Sequence, residues 1–562
     1  MKTNRYFRIF MMALDTIVLF FLRLFRKFDS VERFRTGEKV TVEDTPYATE
    51  NSDPKRLGIV TELEVDGAPA ETYERKKKIY FDPAEPYSEY EGIVTFRGDN
   101  LRSGAAYGTL DAVNKRLRVK WSIDTGRLQK GYGKGYWTGS GWTGQPLIIR
   151  YDDQCRARLD RYEEKKNKPG LTEAIYSTMD GNLYFIDIED GQLTRDTTVL
   201  GLPFKGAGAV DPRKDAPIVY TGAGDSGPEE RQYARSFAVS LISGKKLFEF
   251  GGEDAFSLRK FHGYDSSHIV DKHTDTMIEP GENGILYTFQ LNTVLDGETG
   301  DVICRPSDMV KLRYRTARST EEVYWLGMED SSVIWKNYIY IADNGGNLMC
   351  IDLNTMELIW AQDVADDTNG SPVFSVENNV PYIYIATSLH WTASRRLKLG
   401  DVPIFKINAI NGEYVWIHKY LCNTVAGISG GVQATCVSGK KGSNIANLVI
   451  FPVARTPQVR SGLLVALDKR TGKEVWRYKM KRYAWSSPVA VYSQTGKATI
   501  VQADSVGNLF LIDGATGALL DRVNLGSNVE ASPAVFENTI VVGTRGQKIF
   551  GIEITDERSS YV

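Results

Sequence analysis

GLLVALDKRTGKEVW, residues 462–476, is the stretch on which the fold turns. Leu464 and Ala466 alternate with Val465 and Leu467, the period of two expected of a strand with two differently packed faces. Asp468, Thr471 and Gly472 follow: short polar side chains that bond a turn's own amides, then a residue free to turn back. Lys473–Trp476 is the returning strand, so the unit is a hairpin ending in an aromatic anchor. Aligned on Ala466, the same phrase recurs from Phe185, Ala238, Val294, Cys350, Lys406 and Leu511, and in decayed form from Gly551. The intervals run from 40 to 60 residues, the spacing of propeller blades with four strands each.

A chain of 562 residues would ordinarily be several domains, but one ring of such repeats absorbs most of it. The expected fold is all-β: an eight-bladed propeller over residues 91–562. Blades are expected near 141–201, 204–252, 262–306, 323–363, 368–419, 426–478, 483–525 and 529–554. The last has only three strands of its own. Residues 118–124, with Trp121 in the anchor place, are expected to complete it and close the ring, which removes exposed sheet edges. Each blade opens on small residues, as in GSPVFSV at 370 and SSPVAVY at 486, suited to inner strands crowded round an axis.

Residues 1–28 are expected to be an amphipathic or signal-anchor helix. Phe7, Phe10, Leu14, Ile17, Phe21, Leu24 and Phe28 share one helical face, and arginines take the other. The apolar run Ile9–Leu22 is interrupted by Asp15 and is shorter than the roughly 20 residues that span a bilayer. Both forms imply membrane anchoring, with an extracytoplasmic propeller as the expected placement. Residues 29–90 are charged, poor in large aliphatics, and expected to be a stalk. The formal net charge of −2 gives no field to draw in nucleic acid, which is excluded as a partner. Five scattered cysteines make no metal finger and no disulfide framework, although Cys422 and Cys436 are left open as a pair.

The complete phrase Ala466-x-Asp468-x-x-Thr471-Gly472-x-x-x-Trp476, with FRGDNLRSG at 96 and SSPVAVY at 486, resembles the quinoprotein-dehydrogenase-like propellers. In that family the repeat's tryptophan docks one blade on the next, a role the resemblance gives to Trp121, Trp360, Trp416 and Trp476. The family includes enzymes using pyrroloquinoline quinone and calcium. It also includes a non-enzymatic lipoprotein of outer-membrane assembly. No two cysteines here are adjacent, so the disulfide under which many of the enzymes stack the quinone is missing. No calcium ligand set can be assembled from matching positions, and no N-terminal cysteine is available to lipidate. The expectation is therefore a non-catalytic, membrane-tethered scaffold with no cofactor and no metal, binding a protein or a cell-wall polysaccharide. The alternative is a quinone-dependent alcohol or sugar dehydrogenase.

In a propeller, the connections between blades and the turns between second and third strands share one face, round the channel mouth. Trp142, Trp325 and Trp485 precede inner strands on that face. The long loops 387–403 and 451–462 bring His390, Trp391 and Arg455 to it, and long loops on a regular scaffold carry function. These six residues are the candidate ligand or partner platform. The loop 261–283 gathers His262, His268 and His273 among carboxylates, but without a metal-site spacing, and is expected to be solvated.

Overall fold

The computed structural model describes residues 29–34, 44–131, 135–141, 144–319, 326–390, 399–425 and 429–557, together with Ile9, Phe10, Ala13, Leu14, Ile17 and Phe21. Those six positions are helical. Most of the expected 1–28 anchor lies outside the described residues, among which no helix is long and apolar enough to cross a membrane.

Eight blade sheets follow one another along the chain, each built on four antiparallel strands, and five of them carry one or two further strands. Blade 6 is typical: Val437–Ser438, Leu448–Ala454, Gly462–Asp468 and Glu474–Met480. Its inner three strands are almost wholly buried, and the outer one alternates. The apolar core lies between blades: Val465 and Leu467 of blade 6 pack with Tyr384 and Trp416 of blade 5, while Leu464 and Ala466 face Ile500 and Phe510 of blade 7. The two-residue alternation thus feeds two different seams. In blade 8, Arg116–Asp124 pairs antiparallel to Lys548–Thr555 as the outermost strand, so both ends of the chain build one sheet.

The small residues that open the blades are linked round the axis. Ser267 N–H donates to Ser331 Oγ, Ser331 to Ser371, Ser371 to Thr435, Thr435 to Ser487 and Ser487 to Ser532, at 2.8–3.3 Å. Ser532 N–H then donates to Gly144 O at 2.9 Å. Hydroxyls are needed here because these strand ends have no ladder partner for their amides. Inside this circle sits the loop at residues 94–104. Arg97 and Arg102 are fully buried, and they reach carbonyls of blades 3, 4, 6 and 7. A loop that touches blades on opposite sides of the ring lies on its axis.

Two expectations need correction. The phrase at Val294 is not the third blade's outer hairpin. Val294–Leu295 and Val302–Ile303 pair only with each other, and the outer strand is Ser307–Arg315. An Asp-Thr-Gly turn specifies a hairpin, not its place in a blade; without a tryptophan at Cys304 this one has no neighbour to dock on. The described part of 29–90 is also not a solvated stalk. Asp29–Arg33 adds a strand to blade 5 beside Tyr414–Asn423, and Val60–Val65 adds one to blade 3 beside Ser307–Arg315. Between them Ser52, Arg75 and Ile79 are buried against blades 3, 4 and 5. The segment's charges hid this, because added edge strands need backbone pairing rather than an apolar face.

Candidate functional site

The mouth of the channel is charged and enclosed. Asp265, Glu282 and Glu329 come from the approach to blade 3, a turn within it, and the approach to blade 4. All three are buried, and one carboxylate oxygen from each lies within 4.8 Å of the others. Two cations are buried with them. Lys205 Nζ donates to Gly224 O at 2.7 Å and lies 3.5 Å from Asp225. Arg259 reaches from blade 3 to blade 4: Nη1 donates to Glu282 O and to Asn344 Oδ1, both at 2.8 Å, and Nη2 lies 3.2 Å from Glu282 Oε1. Asn344 and Asn369 donate to Glu329 Oε2 at 3.2 and 2.9 Å. Asn344 also donates to Asp367 Oδ1 at 2.9 Å, and Asp367 Oδ2 lies 3.1 Å from His390 Nδ1. Neither carboxylate oxygen of Asp265 has a hydrogen-bond partner among the described residues.

Burial and mutual repulsion hold these carboxyls protonated to unusually high pH. Desolvation leads in each case, pushing Asp265 up to about 6 and Glu282 to about 7, with Glu329 well above the usual range. Folding therefore takes up protons here. The stabilisation is complete below about pH 4, where the unfolded carboxyls are protonated too, and is lost as pH rises through 6–7. The expected result is a melting temperature that falls between pH 5 and 8. E282Q flattens that dependence, and calcium restores the lost stability at pH 8 only where the three carboxylates are intact. Thermal melts of the parent and E282Q across this range check it.

A hard, oxygen-ligated cation suits this set, because the orphan oxygens of Asp265 are what such an ion would satisfy. A quinone is less well served. The protein's own side chains fill the space: a Cβ on Gly224 would lie 2.0 Å from Asp265 Oδ1, and one on Gly327 1.9 Å from Arg259 Nη1. All five cysteines, Cys422 and Cys436 included, are free thiols.

Of the six expected platform residues, Trp142, Trp325 and Trp391 lie outside the described residues. His390 joins the acidic network through Asp367. Arg455 is buried; its Nη1 donates to Val459 O at 2.8 Å, and its guanidinium lies 4.5 Å from the Tyr483 ring. Tyr483 in turn sits 5.7 Å from Trp485, the rings tilted at 47°, so Arg455 and Trp485 join one aromatic–cationic group through Tyr483. The loop at 261–283 is corrected in part: His262, Asp265, His268 and Glu282 are buried, while His273 is exposed and faces Glu85. The carboxylate cluster escaped the sequence because its members come from separate connections and short turns. The acids crowded between Asp265 and Glu282 are the only local signal, and they carry no metal-site spacing.

The four anchor tryptophans all reach the next blade. Trp121, Trp360, Trp416 and Trp476 donate from Nε1 to Ile188, Ala409, Lys469 and Gly514 carbonyls at 2.9–3.1 Å. Each ring lies against the neighbour's turn glycine, where a Cβ would come within 2.5–2.8 Å of it.

Residues 460–560 match a family model described as outer membrane protein assembly factor BamB. No curated protein matches the chain. Among solved structures, a quinohemoprotein alcohol dehydrogenase from Pseudomonas putida HK5 is similar with a TM-score of 0.54 at 11% identity, over 84% of this chain and 81% of that one. Its counterpart from Comamonas testosteroni gives 0.51 at 14% identity over the same shares. BamB from Moraxella catarrhalis gives 0.46 at 14% identity, over 72% of this chain and 98% of that one. Identities this low speak to architecture, and the architecture agrees with the repeat. In fold, the chain is an eight-bladed propeller, similar in architecture to these quinohemoprotein dehydrogenases.

Proposed function

We propose that the chain is a non-catalytic, membrane-tethered scaffold that holds a protein or cell-envelope ligand at the channel-mouth face, on the extracytoplasmic side. In this reading residues 1–28 tether it, the sheet shared by both chain ends closes the ring, and 91–562 is the binding body. The observation that carries the reading is the occupied mouth: the side chains of Lys205 and Arg259 are buried among Asp265, Glu282 and Glu329, where an organic cofactor would need room. A rigid ring whose loops converge on one face binds with little ordering cost. The half-buried Tyr483 and Trp485, backed by the buried Arg455, offer a partner aromatic surface. The family model over 460–560, named for an outer-membrane assembly factor, favours a protein as that partner.

A second reading, a quinone-dependent alcohol or sugar dehydrogenase, is favoured by the orphan oxygens of Asp265. There Asp265, Glu282 and Glu329 would hold calcium, and the quinone would supply a two-electron acceptor. Titrating the protein with pyrroloquinoline quinone and calcium, following quinone absorbance and dye reduction with alcohols and sugars, separates the two. The expected result is calcium binding without saturable quinone binding. Saturation with turnover would overturn the scaffold.

A further inference from the structure

Far from the mouth, where the N-terminal strand meets the seam between blades 5 and 6, one histidine is left half-used. His418 is 2% exposed, in the outer strand of blade 5. Its Nδ1 lies 2.7 Å from the Gly472 carbonyl, an acceptor, so Nδ1 carries the proton and Nε2 presents a bare lone pair. That Nε2 is buried and has no hydrogen-bond partner among the described residues. Burying an unsatisfied acceptor costs free energy, and its surroundings suggest what answers it. Asp29 of the N-terminal strand and Glu474 of blade 6 converge there, with one ligand atom from each of the three residues within 4.8 Å of the others.

The hydrogen bond to the glycine does not by itself call for an imidazole. At the equivalent place in blade 4, two residues after the docking tryptophan, Gln362 Nε2 donates to Gly412 O at 2.7 Å. The amide does the same work, and its oxygen accepts from Asp363 N–H at 3.0 Å, leaving nothing unpaired. What His418 adds is a second nitrogen, buried and unpartnered, in a ring that lies beside two carboxylates. Fixing one ring nitrogen on a carbonyl while the other is left without a partner is how metal-binding histidines are oriented.

Arg477 is the competing cation. Its Nη2 donates to Asp29 Oδ2 and Glu474 Oε2, both at 2.8 Å, and its Nε to Glu474 Oε1. Tyr420 Oη donates to Glu474 Oε2 at 2.6 Å. Two carboxylates against one guanidinium still leave a negative charge in excess, and Glu474 Oε1 and both oxygens of Asp29 retain a lone pair to offer.

We propose that Asp29, His418 and Glu474 form a binding site for a divalent cation of the zinc class, which clamps the N-terminal strand onto the seam between blades 5 and 6. One imidazole nitrogen with two carboxylate oxygens suits zinc better than calcium or magnesium, which favour all-oxygen shells. The three ligands come from three separate pieces of the structure, so the ion binds only when arm and both blades are in place, and it stabilises their assembly by mass action.

The test is calorimetric titration of the chelator-stripped full chain with Zn2+, and separately with Ca2+, alongside H418Q and D29N. H418Q retains a donor for Gly472 O, as Gln362 does for Gly412, but removes the ligand. D29N removes a ligand from an exposed strand on which no blade depends. The parent is expected to show one saturable Zn2+ event that raises its melting temperature, weakened about 100-fold or more in both variants. Both variants melt with the parent in chelator. A parent without a Zn2+ event, a Zn2+ event unchanged in H418Q or D29N, or equal affinity for Ca2+ at these residues would each overturn the proposal.

Discussion

Replacing Trp416 with alanine is expected to destabilise the propeller by about 4–5 kcal/mol, the upper end for an aromatic lost from a core. Trp416 is wholly buried, packed with Tyr384, Val373 and Val465, and its Nε1 bond to Lys469 O crosses the seam at 2.9 Å. The cavity cannot collapse, because the far wall is backbone: Gly472 holds φ +67° and touches the ring directly. W416F keeps most of the ring and loses the hydrogen bond, and is expected to cost only about 1 kcal/mol from that bond plus the smaller side chain's deficit. W121A should cost less than W416A, since Trp121 is already 8% exposed. Guanidinium unfolding of the three variants checks the order; W416A at or below W121A would show that the seam does not depend on the ring.

The second large effect is expected on the axis. R102A should cost about 4 kcal/mol, because it strands acceptors that no water reaches. Arg102 donates to Ser332 O at 2.8 Å, to Thr95 Oγ1 and Phe96 O at 2.9 Å, and to Ser267 O at 3.0 Å. One planar guanidinium thus fastens the axial loop to itself and to blades 3 and 4. Its burial is severe enough to lower its pKa to about 10. R102K retains the charge but not the fork of donors, and should recover little of the loss. Equilibrium unfolding again reads the result. An R102A cost under about 1 kcal/mol, the worth of a single ordinary hydrogen bond, would show the loop to be a passenger.

These two residues also mark what could be read from the sequence. Trp416 announced itself, since a repeat that ends hairpins in tryptophan fixes strand order, blade number and the docking surface together. Arg102 did not. It lies in the stretch that began the ordered domain, but its acceptors are backbone carbonyls 165 and 230 residues away, and carbonyls leave no trace in residue identity. The same holds for the edge strands at Asp29–Arg33 and Val60–Val65, which pair through backbone. The turn at Val294 misled for the opposite reason: its local chemistry was complete while its surroundings lacked a neighbour to dock on. At the mouth, propeller topology specifies the face, whereas long loops and their cations do not mark its buried centre. The short turns carrying Glu282 and Asn344 hold the buried network instead.

The sheet built from both chain ends has a consequence in time. Asp124 and Lys548 pair, 424 positions apart (548 − 124). At a synthesis rate of about 5–20 residues per second, the strand Arg116–Asp124 emerges about 20 to 90 s before its partner exists. Throughout that interval it is an unpaired edge, liable to recruit another nascent chain. Its sequence, RLRVKWSID, places Arg116, Arg118 and Lys120 on alternate positions, and positive charge along a waiting edge repels an identical one. When the last strand arrives, Glu553 meets Arg118 and Asp124 meets Lys548. The charges that kept copies apart during synthesis then join the sheet to its proper partner.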